Sequence, residues 1–416
     1  MNLLFLSWRN VIIKPLSLAL SWILFALGVG LVTFLVLFNS QLQEKFDNNL
    51  AGINLIIGAK GSPLQLVLCN MYHIDVPTGN ISVKSASPFL NPKHPLIKRA
   101  IPLSLGDSYK GYRIVGTTYA FFDLYEAQIE KGRLYRTTYE VVIGDAVARQ
   151  LNIELGQRFK STHGLTENED FGHDNEFEVV GILGPKNSVI DQLILTDPRS
   201  IWAVHEHHDT DEMQEMLPDT ISSEDFDLTM EKDREITSLL IQFRGRNFQT
   251  LNMARNINEH TDMQAAVPAM EINRLFLMMG IGIDALRWLA LIIIVVSVLS
   301  VFVALLQSFQ SRKYELAIMR VQGASRIQIF LIILIEGIII SIIGFLLGSI
   351  SGHLSMYWAK EYLDAHYRYS FDSWIWHPWE YYIAMGSVLL GIFAALLPAI
   401  YAYRTDIHKT LTEDLK

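Results

Sequence analysis

The sequence contains a single cysteine, Cys69, among 416 residues. An intrachain disulfide is therefore impossible, and any domain outside the cytoplasm must be held together by its own hydrophobic core. Basic residues are also in the minority. The sequence has 34 Lys and Arg and 43 Asp and Glu, which gives a formal net charge of −9. Phosphate binding needs a basic face and none is apparent, so we exclude nucleic acid as a partner.

A phosphate-binding loop is missing as well. A Walker A motif needs the spacing G-x-x-x-x-G-K-[ST], because its backbone amides and lysine must surround the phosphates. Residues 58–62 read G-A-K-G-S, which has the right residue types without that spacing. We also find no nucleophile–base motif. The chain is therefore expected to be no enzyme, and any ATPase activity is expected in a partner subunit.

Apolar residues make up half of the sequence and are concentrated in a few blocks. At a rise of about 1.5 Å per residue, a block of about 20 residues crosses a hydrocarbon core of about 30 Å. Four windows meet this requirement: Leu16–Phe38, Trp288–Leu306, Ile329–Ile350 and Tyr381–Tyr401. The first is longer than the core of a signal peptide (about 7–15 residues), which predicts a retained helix. Only the third contains an ionisable residue, Glu336.

Lys and Arg residues near the apolar blocks predict the orientation, because cytoplasmic loops carry an excess of them. They precede the first block, lie between the second and third, and follow the fourth: Arg9, Lys14, Arg312, Lys313, Arg320, Arg326, Arg404, Lys409 and Lys416. Both termini are therefore predicted to be cytoplasmic. The long segment 40–285 and the tryptophan-rich segment 352–380 should face the other side.

The long segment mixes strand-like and helix-like patterns. Strands are predicted at Tyr112–Thr117, Glu140–Ile143, Phe177–Leu183, Gln192–Leu195 and Ser238–Phe243, and helices at Ala146–Leu151 and Phe248–Glu259. The fold class that follows is a polytopic α-helical membrane protein with four transmembrane helices. A large α+β extracytoplasmic domain is inserted between the first and the second helix.

Residues 205–235 contain twelve acids and two bases, which is typical of a solvated, mobile loop. A zinc site is the alternative, because His205, His208, Asp209 and Glu212 would share one face if the stretch were helical. The candidate ligands are His205, His207, His208 and Asp209. A weaker candidate is the alternating set Cys69, Met71 and His73, which would point the same way from a strand.

Between the second and third blocks runs S-R-K-Y-E-L-A-I-M-R-V-Q-G-A-S, residues 311–325. Apolar residues at i, i+3, i+4 and i+7 predict one face of a short helix: Tyr314, Ala317, Ile318 and Val321. Gly323 can end this helix and Ser325 can cap the next one. Such a helix could seat its apolar stripe in a groove on another protein. It could equally lie at the membrane surface as a basic segment.

The R-K-x-E-L-x-x-x-R-x-x-G-A string, followed by an apolar helix with an embedded glutamate, resembles the FtsX/MacB/LolC-type ABC transporter permeases. The chain end, with Leu397-Pro398-Ala399 and Arg404-Thr405-Asp406-Ile407, is similar to that family's ending, although Ile407 stands where many members have proline. Val142-Ile143-Gly144 and Val179-Val180-Gly181-Ile182 resemble the family's extracytoplasmic pattern.

The resemblance implies a permease in a bacterial inner membrane that works with a separate ABC ATP-binding subunit. It also implies a homodimer or heterodimer of permeases and a periplasmic protein or lipoprotein as partner. The residues expected to couple to the ATPase are Arg312, Lys313, Glu315, Arg320, Gly323 and Ala324. Glu336 should face the interior of the helix bundle, either as a coupling contact or simply protonated, since an unpaired carboxylate in the membrane is costly.

The predicted organisation has nine segments. They are a cytoplasmic amphipathic N-terminus (1–15), the first transmembrane helix (16–39), the extracytoplasmic α+β domain (40–285), the second transmembrane helix (286–309), a coupling helix (310–326), the third transmembrane helix (327–351), a short extracytoplasmic loop (352–380), the fourth transmembrane helix (381–402) and a cytoplasmic tail (403–416).

Three functions remain open at the level of the sequence. The first is ATP-driven movement of a periplasmic domain that exports a lipoprotein, lipid or hydrophobic compound, or activates a periplasmic partner. The second is a zinc acquisition or efflux permease that uses the His-rich loop. The third is a membrane scaffold or regulator that transports nothing. No cofactor is expected in this chain unless zinc binds the loop.

Overall fold

The computed structural model describes residues 3–12, 15–163, 172–206, 222–223, 226–367 and 371–404. The helices are α1 (Leu3–Ile12), α2 (Pro15–Leu50), α3 (Pro63–Met71), α4 (Val83–Leu90), α5 (Ala120–Leu124), α6 (Asp145–Leu151), α7 (Pro198–Glu206), α8 (Phe248–His260), α9 (Pro268–Ser311), α10 (Lys313–Val321), α11 (Arg326–Tyr367) and α12 (Trp379–Arg404). The strands are β1 (Leu55–Ala59), β2 (Ile81–Ser82), β3 (Ile97–Tyr109), β4 (Tyr112–Thr117), β5 (Ile129–Gly132), β6 (Glu140–Ile143), β7 (Arg158–His163), β8 (Gly172–Leu183), β9 (Ile194–Thr196), β10 (Glu235–Ile236), β11 (Ser238–Phe243) and β12 (Met263–Ala266).

The chain divides into two compact units. A helical unit comprises Met1–Leu42 and Met278–Lys416, and an α+β unit comprises Gln43–Leu277. Four helices are long and apolar enough to cross a membrane: α2, α9, α11 and α12. The α+β unit lies in sequence between the first and the second of them, as predicted.

The α+β unit is built on a ten-stranded sheet in the order β12-β1-β11-β3-β4-β9-β6-β8-β5, with β7 paired to β3 and β8. Most pairs are antiparallel, and the parallel ones are β4–β9 and β6–β8. Two hydrophobic clusters form the core, one around β1 and β11 and one around β6, β8 and β9. The predicted strands Tyr112–Thr117, Glu140–Ile143 and Ser238–Phe243 are confirmed at their stated bounds.

Two predictions for this unit are wrong in part. Cys69 and Met71 lie on helix α3 and not on a strand, because Ser62 caps the helix by accepting a hydrogen bond from the Gln65 amide and Pro63 occupies its first turn. The segment 205–235 is also not a free loop throughout. Leu228 is buried, and Glu235 belongs to β10, which pairs with β2.

Aromatic side chains join the ends of the two long helices inside the α+β unit. The ring of Phe46, near the end of α2, makes T-shaped contacts with Tyr72 at 4.8 Å and with Phe276 of α9 at 5.2 Å. The Tyr72 hydroxyl also donates to the Phe46 carbonyl at 3.3 Å. The last turns of α2 and the first turns of α9 are therefore held against one aromatic cluster.

The helical unit depends on close approach of α2 and α11. Gly344, Gly348 and Gly352 are spaced four residues apart and face Phe25, Val29 and Thr33, which have the same spacing. A Cβ at Gly348 would lie 2.6 Å from the Cβ of Val29, a separation that real atoms do not adopt. Small residues at such a seam let two backbones pack closely, which is how helices gain contact energy in a membrane.

Helix α11 is longer than predicted. It continues to Tyr367, so much of the segment 352–380 that was expected to form a loop is helical. Trp358 therefore lies on α11, whereas Trp374 and Trp376 precede α12 and Trp379 begins it. Helix α9 likewise begins at Pro268, well before the predicted start at residue 286.

Candidate functional site

The candidate site is the short helix α10 together with the start of α11. Gly323, at φ 105°, ends α10: its amide donates to the Arg320 carbonyl at 3.1 Å and the Ala324 amide donates to the Met319 carbonyl at 3.0 Å. This is a Schellman ending, which needs a left-handed residue after the last helical turn. The predicted end of the helix at Gly323 is confirmed.

Ser325 begins α11 with a capping box. Its hydroxyl accepts from the Gln328 amide at 3.2 Å, while the Gln328 side chain accepts from the Ser325 amide at 2.8 Å. These bonds satisfy two backbone donors that a helix start otherwise leaves unpaired. The orientation of α10 relative to α11 is therefore fixed by local hydrogen bonds at both ends of the four-residue connection 322–325.

Arg312, immediately before α10, is buried and not solvated. Its Nη2 lies 2.9 Å and 3.0 Å from the two carboxylate oxygens of Glu336 and 2.7 Å from the Ser308 hydroxyl. The side chains are 10% and 3% exposed, so this ion pair is shielded from solvent. The expectation that Glu336 faces the bundle interior is confirmed, and its partner is the first basic residue of the family string.

The rest of α10 divides into a buried side and an exposed side. Leu316 packs in a cluster with residues of α9, α11 and α12, and the neighbouring Ala317 is also buried. Tyr314, Ile318 and Val321 are 46%, 37% and 66% exposed. The predicted stripe is therefore split, because Ala317 belongs to the buried side. Three apolar side chains remain on the surface.

The other predicted coupling residues lie around these three. Glu315 and Gly323 are exposed, and Lys313, Arg320 and Ala324 are half-buried. The sequence analysis named Arg312 as a residue that couples to the ATPase and missed its pairing with Glu336. A signal existed, since a buried carboxylate in an apolar helix needs a counter-charge within reach.

Helix α1 packs on this region. The Ser7 hydroxyl donates to the Ile332 carbonyl of α11 at 3.2 Å, and Ser7 is fully buried. Leu4, Phe5 and Trp8 are exposed on the other side of α1. The buried polar side chain of α1 therefore contacts the backbone of α11, and the amphipathic character of the N-terminus stays a prediction.

The predicted zinc ligands are not brought together by the part of the chain that the structure describes. His207, His208 and Asp209 lie outside the described residues, and only the backbone of His205, on α7, is described. Among the residues described, no group of three or more His, Cys, Asp or Glu side chains could hold a metal ion. Zinc binding by this loop stays a prediction.

His73 and Cys69 belong to a buried polar cluster. Arg113 donates to the Cys69 sulfur at 3.2 Å and to the Asp75 carbonyl at 2.7 Å. Burial, opposed in part by Arg113, raises the pKa of the Cys69 thiol. Burial and the nearby Arg113 charge hold the pKa of His73 well below its usual range, and both of its ring nitrogens are buried without a hydrogen-bond partner.

Two family patterns match the sequence. The MacB-like periplasmic core domain matches residues 18–250, and the FtsX-like permease C-terminal domain matches residues 288–407. No match was found among curated protein sequences. Among solved structures, the periplasmic region of MacB from Actinobacillus actinomycetemcomitans is similar at 12% identity and a TM-score of 0.32, over 54% of this chain and 94% of that one.

The first of these patterns covers more than half of the chain, and the second covers most of the remainder. Together they account for the inserted α+β domain and for the three helices that follow it. The sequence motifs, the order of the elements and both family matches therefore agree, and the chain belongs to the FtsX/MacB-type family of ABC transporter permeases, membrane proteins that work with an ABC ATPase subunit.

Proposed function

We propose that this chain converts ATP hydrolysis by a separate subunit into movement of its α+β unit. The observation that carries the proposal is the Arg312–Glu336 ion pair at the base of α10. A short helix with three exposed apolar side chains suits docking in a groove of an ATPase. A buried ion pair at its first turn suits transmission of any displacement to α11, because breaking such a pair is costly.

The packing of the long helices supports transmission of movement from α11 to α2. The glycine seam between α2 and α11 leaves little room for one helix to move without the other. Helices α2 and α9 are continuous through the residues at which the two units divide.

The site favours mechanical work over passage of a polar solute through the helices. The four apolar windows of the sequence contain one charged residue, Glu336. A path for polar solutes normally needs several such groups. We therefore place the substrate among lipoproteins, lipids and hydrophobic compounds, or place the output in a periplasmic partner, with the chain in the inner membrane and its termini in the cytoplasm.

The test uses full-length chain purified from its native membrane with its ATPase subunit. Val321→Asp places a charge on the exposed apolar surface of α10. We expect at least about a tenfold loss of co-purified ATPase subunit and of ATP turnover, because each 1.4 kcal/mol of lost binding free energy weakens binding tenfold. Gln322→Asp is the matched control, because it adds the same charge at the neighbouring exposed residue.

Glu315→Lys tests the same surface by charge reversal, and we expect it to abolish function while the protein still inserts. Equal behaviour of Val321→Asp and Gln322→Asp, with ATP turnover retained in both, would remove the docking assignment. Full activity of Glu315→Lys would remove that residue from the coupling surface.

A further inference from the structure

A cavity of about 150 Å³ lies in the helical unit between α2, α9 and α12. Apolar side chains from all three helices line it: Phe25, Val29, Val32, Ile294, Ile383 and Leu390. Each of these residues falls within an apolar window long enough to cross a membrane. The cavity therefore lies at the depth of the bilayer hydrocarbon, and its walls are apolar.

The serines in the lining use their hydroxyl hydrogens within their own helices. Ser297 donates to the Ile294 carbonyl at 2.8 Å, and Ser387 donates to the Ile383 carbonyl at 2.8 Å. The described lining side chains therefore offer a ligand no free hydrogen-bond donor. A buried water needs about two to four polar partners, whereas an apolar cavity of about this size stays dry and accepts an apolar molecule. The chemistry of the walls thus selects a hydrocarbon.

The lining residues follow the helix axes. On α2 they run from Phe25 to Val32, and on α12 they run from Ile383 to Leu390. At about 1.5 Å per residue, each run rises by about 10 Å. Transmembrane helices are tilted by only about 20° on average from the bilayer normal, so this direction is close to that of lipid acyl chains. A linear run of methylene groups therefore suits the cavity.

The cavity lies in the half of the helical unit away from α10. Ala399 and Ala402, late in α12, belong to the cluster that contains Leu316 of α10. The cavity is lined instead by the earlier part of α12, from Ile383 to Leu390. An acyl chain that fills it must therefore come from the leaflet on the side away from α10.

Part of the cavity surface is open, and Gly386 of α12 leaves room beside it. No atom of the described chain lies within 4 Å of a Cβ built at Gly386. The neighbouring helix faces are apolar and at least half exposed, with Met385 and Leu389 on α12 and Leu291 and Val295 on α9. The open surface is therefore continuous with faces that meet lipid in a membrane, where lipid is the most abundant apolar molecule.

We propose that this cavity binds one acyl chain of a resident phospholipid, which forms part of the packing between α2, α9 and α12. An unfilled cavity leaves its wall atoms without partners on one side, so their dispersion contacts are lost. Helices in a membrane depend on such contacts, because lipid tails are as apolar as leucine and burial alone brings no gain. A resident acyl chain restores the contacts across the gap.

The test uses the full-length chain in bilayers that contain phosphatidylethanolamine with a photoreactive diazirine in one acyl chain. Irradiation attaches the lipid to residues that it touches, and fragment mass spectrometry identifies them. We expect labelling of the lining residues Val32 and Ile294, with the exposed Leu299 as the reference for surface lipid. Labelling of Leu299 without Val32 and Ile294 would overturn the proposal and would indicate that a protein segment, such as a second copy of the chain, covers the cavity.

Gly386→Leu is the filling variant, because its side chain has room to enter the cavity. We expect it to reduce labelling of Val32 and Ile294 by about tenfold or more relative to Leu299, since the filled space no longer offers contacts to an acyl chain. Gly386→Ala is the matched control, because it adds a single carbon at the same residue and should keep the labelling.

Val32→Phe fills the same space from α2 and should reduce labelling of Ile294 in the same way. The unfolding temperatures of both filling variants show that they are folded. Unchanged labelling of Ile294 in the two filling variants would overturn the proposal, because the lipid would then reach this residue from outside the cavity.

ATP distinguishes a resident phospholipid from a transported lipid. The labelling is repeated in the complex with the ATPase subunit, with and without ATP and Mg²⁺. A resident acyl chain is labelled equally in both, whereas loss of cavity labelling during turnover would identify a transported lipid and overturn the resident assignment. Labelling of the isolated chain needs no ATPase subunit, so that result is independent of the proposed coupling through α10.

Discussion

Helix α11 carries a buried ionisable group towards each end of its apolar stretch, and the two groups are paired differently. Glu336 meets Arg312, whose guanidinium keeps its proton at any pH that a protein survives. Glu380 meets His353, whose Nε2 lies 3.1 Å from the Glu380 carboxylate. At about 1.5 Å per residue, Glu336 and His353 lie about 25 Å apart along the helix, close to the thickness of a hydrocarbon core.

The chemistry of the Arg312–Glu336 pair limits what can break it. An ion pair with a permanent charge can be broken only by force or by a competing partner, so it suits a helix that is displaced by another protein. The His353–Glu380 contact joins an imidazole to a carboxylate that also accepts from the Ser349 hydroxyl, so the two ends of the apolar stretch of α11 are held by different groups.

The largest expected effect comes from breaking the Arg312–Glu336 pair. Arg312→Leu leaves the Glu336 carboxylate buried without its guanidinium partner, and we expect a loss of about 3–5 kcal/mol in the free energy of unfolding. Thermal unfolding in detergent, followed by tryptophan fluorescence, measures it. The double variant Arg312→Leu/Glu336→Leu should recover most of this loss, because well-packed apolar residues often replace a buried ion pair at no net cost.

The double variant also separates stability from coupling. We expect it to remain folded while ATP turnover by the complex no longer responds to its substrate or periplasmic partner. Normal stability of Arg312→Leu would contradict the buried pair, and normal coupling in the stable double variant would show that the pair only supports the fold.

An intermediate effect is expected at the glycine seam that lies between the two pairs. Gly348→Ala places a Cβ against Val29, and overpacking of this kind costs about 1–3 kcal/mol. Gly386→Ala on α12 is the matched control, because no atom lies within 4 Å of a Cβ built there. The control should be neutral or slightly stabilising, since alanine favours helix over glycine by about 1 kcal/mol. Equal unfolding temperatures of the two variants would contradict close packing of α2 on α11.

The smallest effect is expected at His73, a buried imidazole with no partner for either nitrogen. Its folded-state pKa is depressed, so the unfolded chain takes up a proton below about pH 6.5 while the folded chain does not. Stability should therefore fall as the pH drops below about 6.5, by up to about 1.4 kcal/mol per pH unit.

Asn is a suitable replacement, because His73 has a φ of 55° and Asn tolerates the left-handed region without titrating. We expect His73→Asn to reduce the difference in unfolding temperature between about pH 5 and about pH 7.5. An unchanged difference would assign the acid sensitivity to other groups.

Local chemistry made much of the structure predictable. Gly323 and Ser325 fixed the break between α10 and α11 because a left-handed ending and a capping hydroxyl are local requirements. The β-branched and aromatic pattern of Tyr112–Thr117 was enough to place β4. These features depend on neighbours within a few residues, which is the information that a sequence states directly.

Features that depend on distant partners were not predictable in the same way. The Arg312–Glu336 and His353–Glu380 pairs join residues on different helices, and no local pattern states which helices pack together. The alternation of Cys69, Met71 and His73 suggested a strand, although the Ser62–Pro63 start of a helix was present in the sequence. The extension of α11 to Tyr367 was missed because the tryptophan-rich segment 352–380 was predicted to be a loop, although no glycine or proline interrupts residues 354–377.

The four-residue spacing of Gly344, Gly348 and Gly352 also determines how α11 can slide along α2. A slip of half this repeat would move the glycines away from Phe25, Val29 and Thr33, and the two backbones would have to separate. A slip of four residues, about 6 Å, would return glycines to face Phe25, Val29 or Thr33. The glycine seam therefore limits axial movement of α11 against α2 to steps of one four-residue repeat.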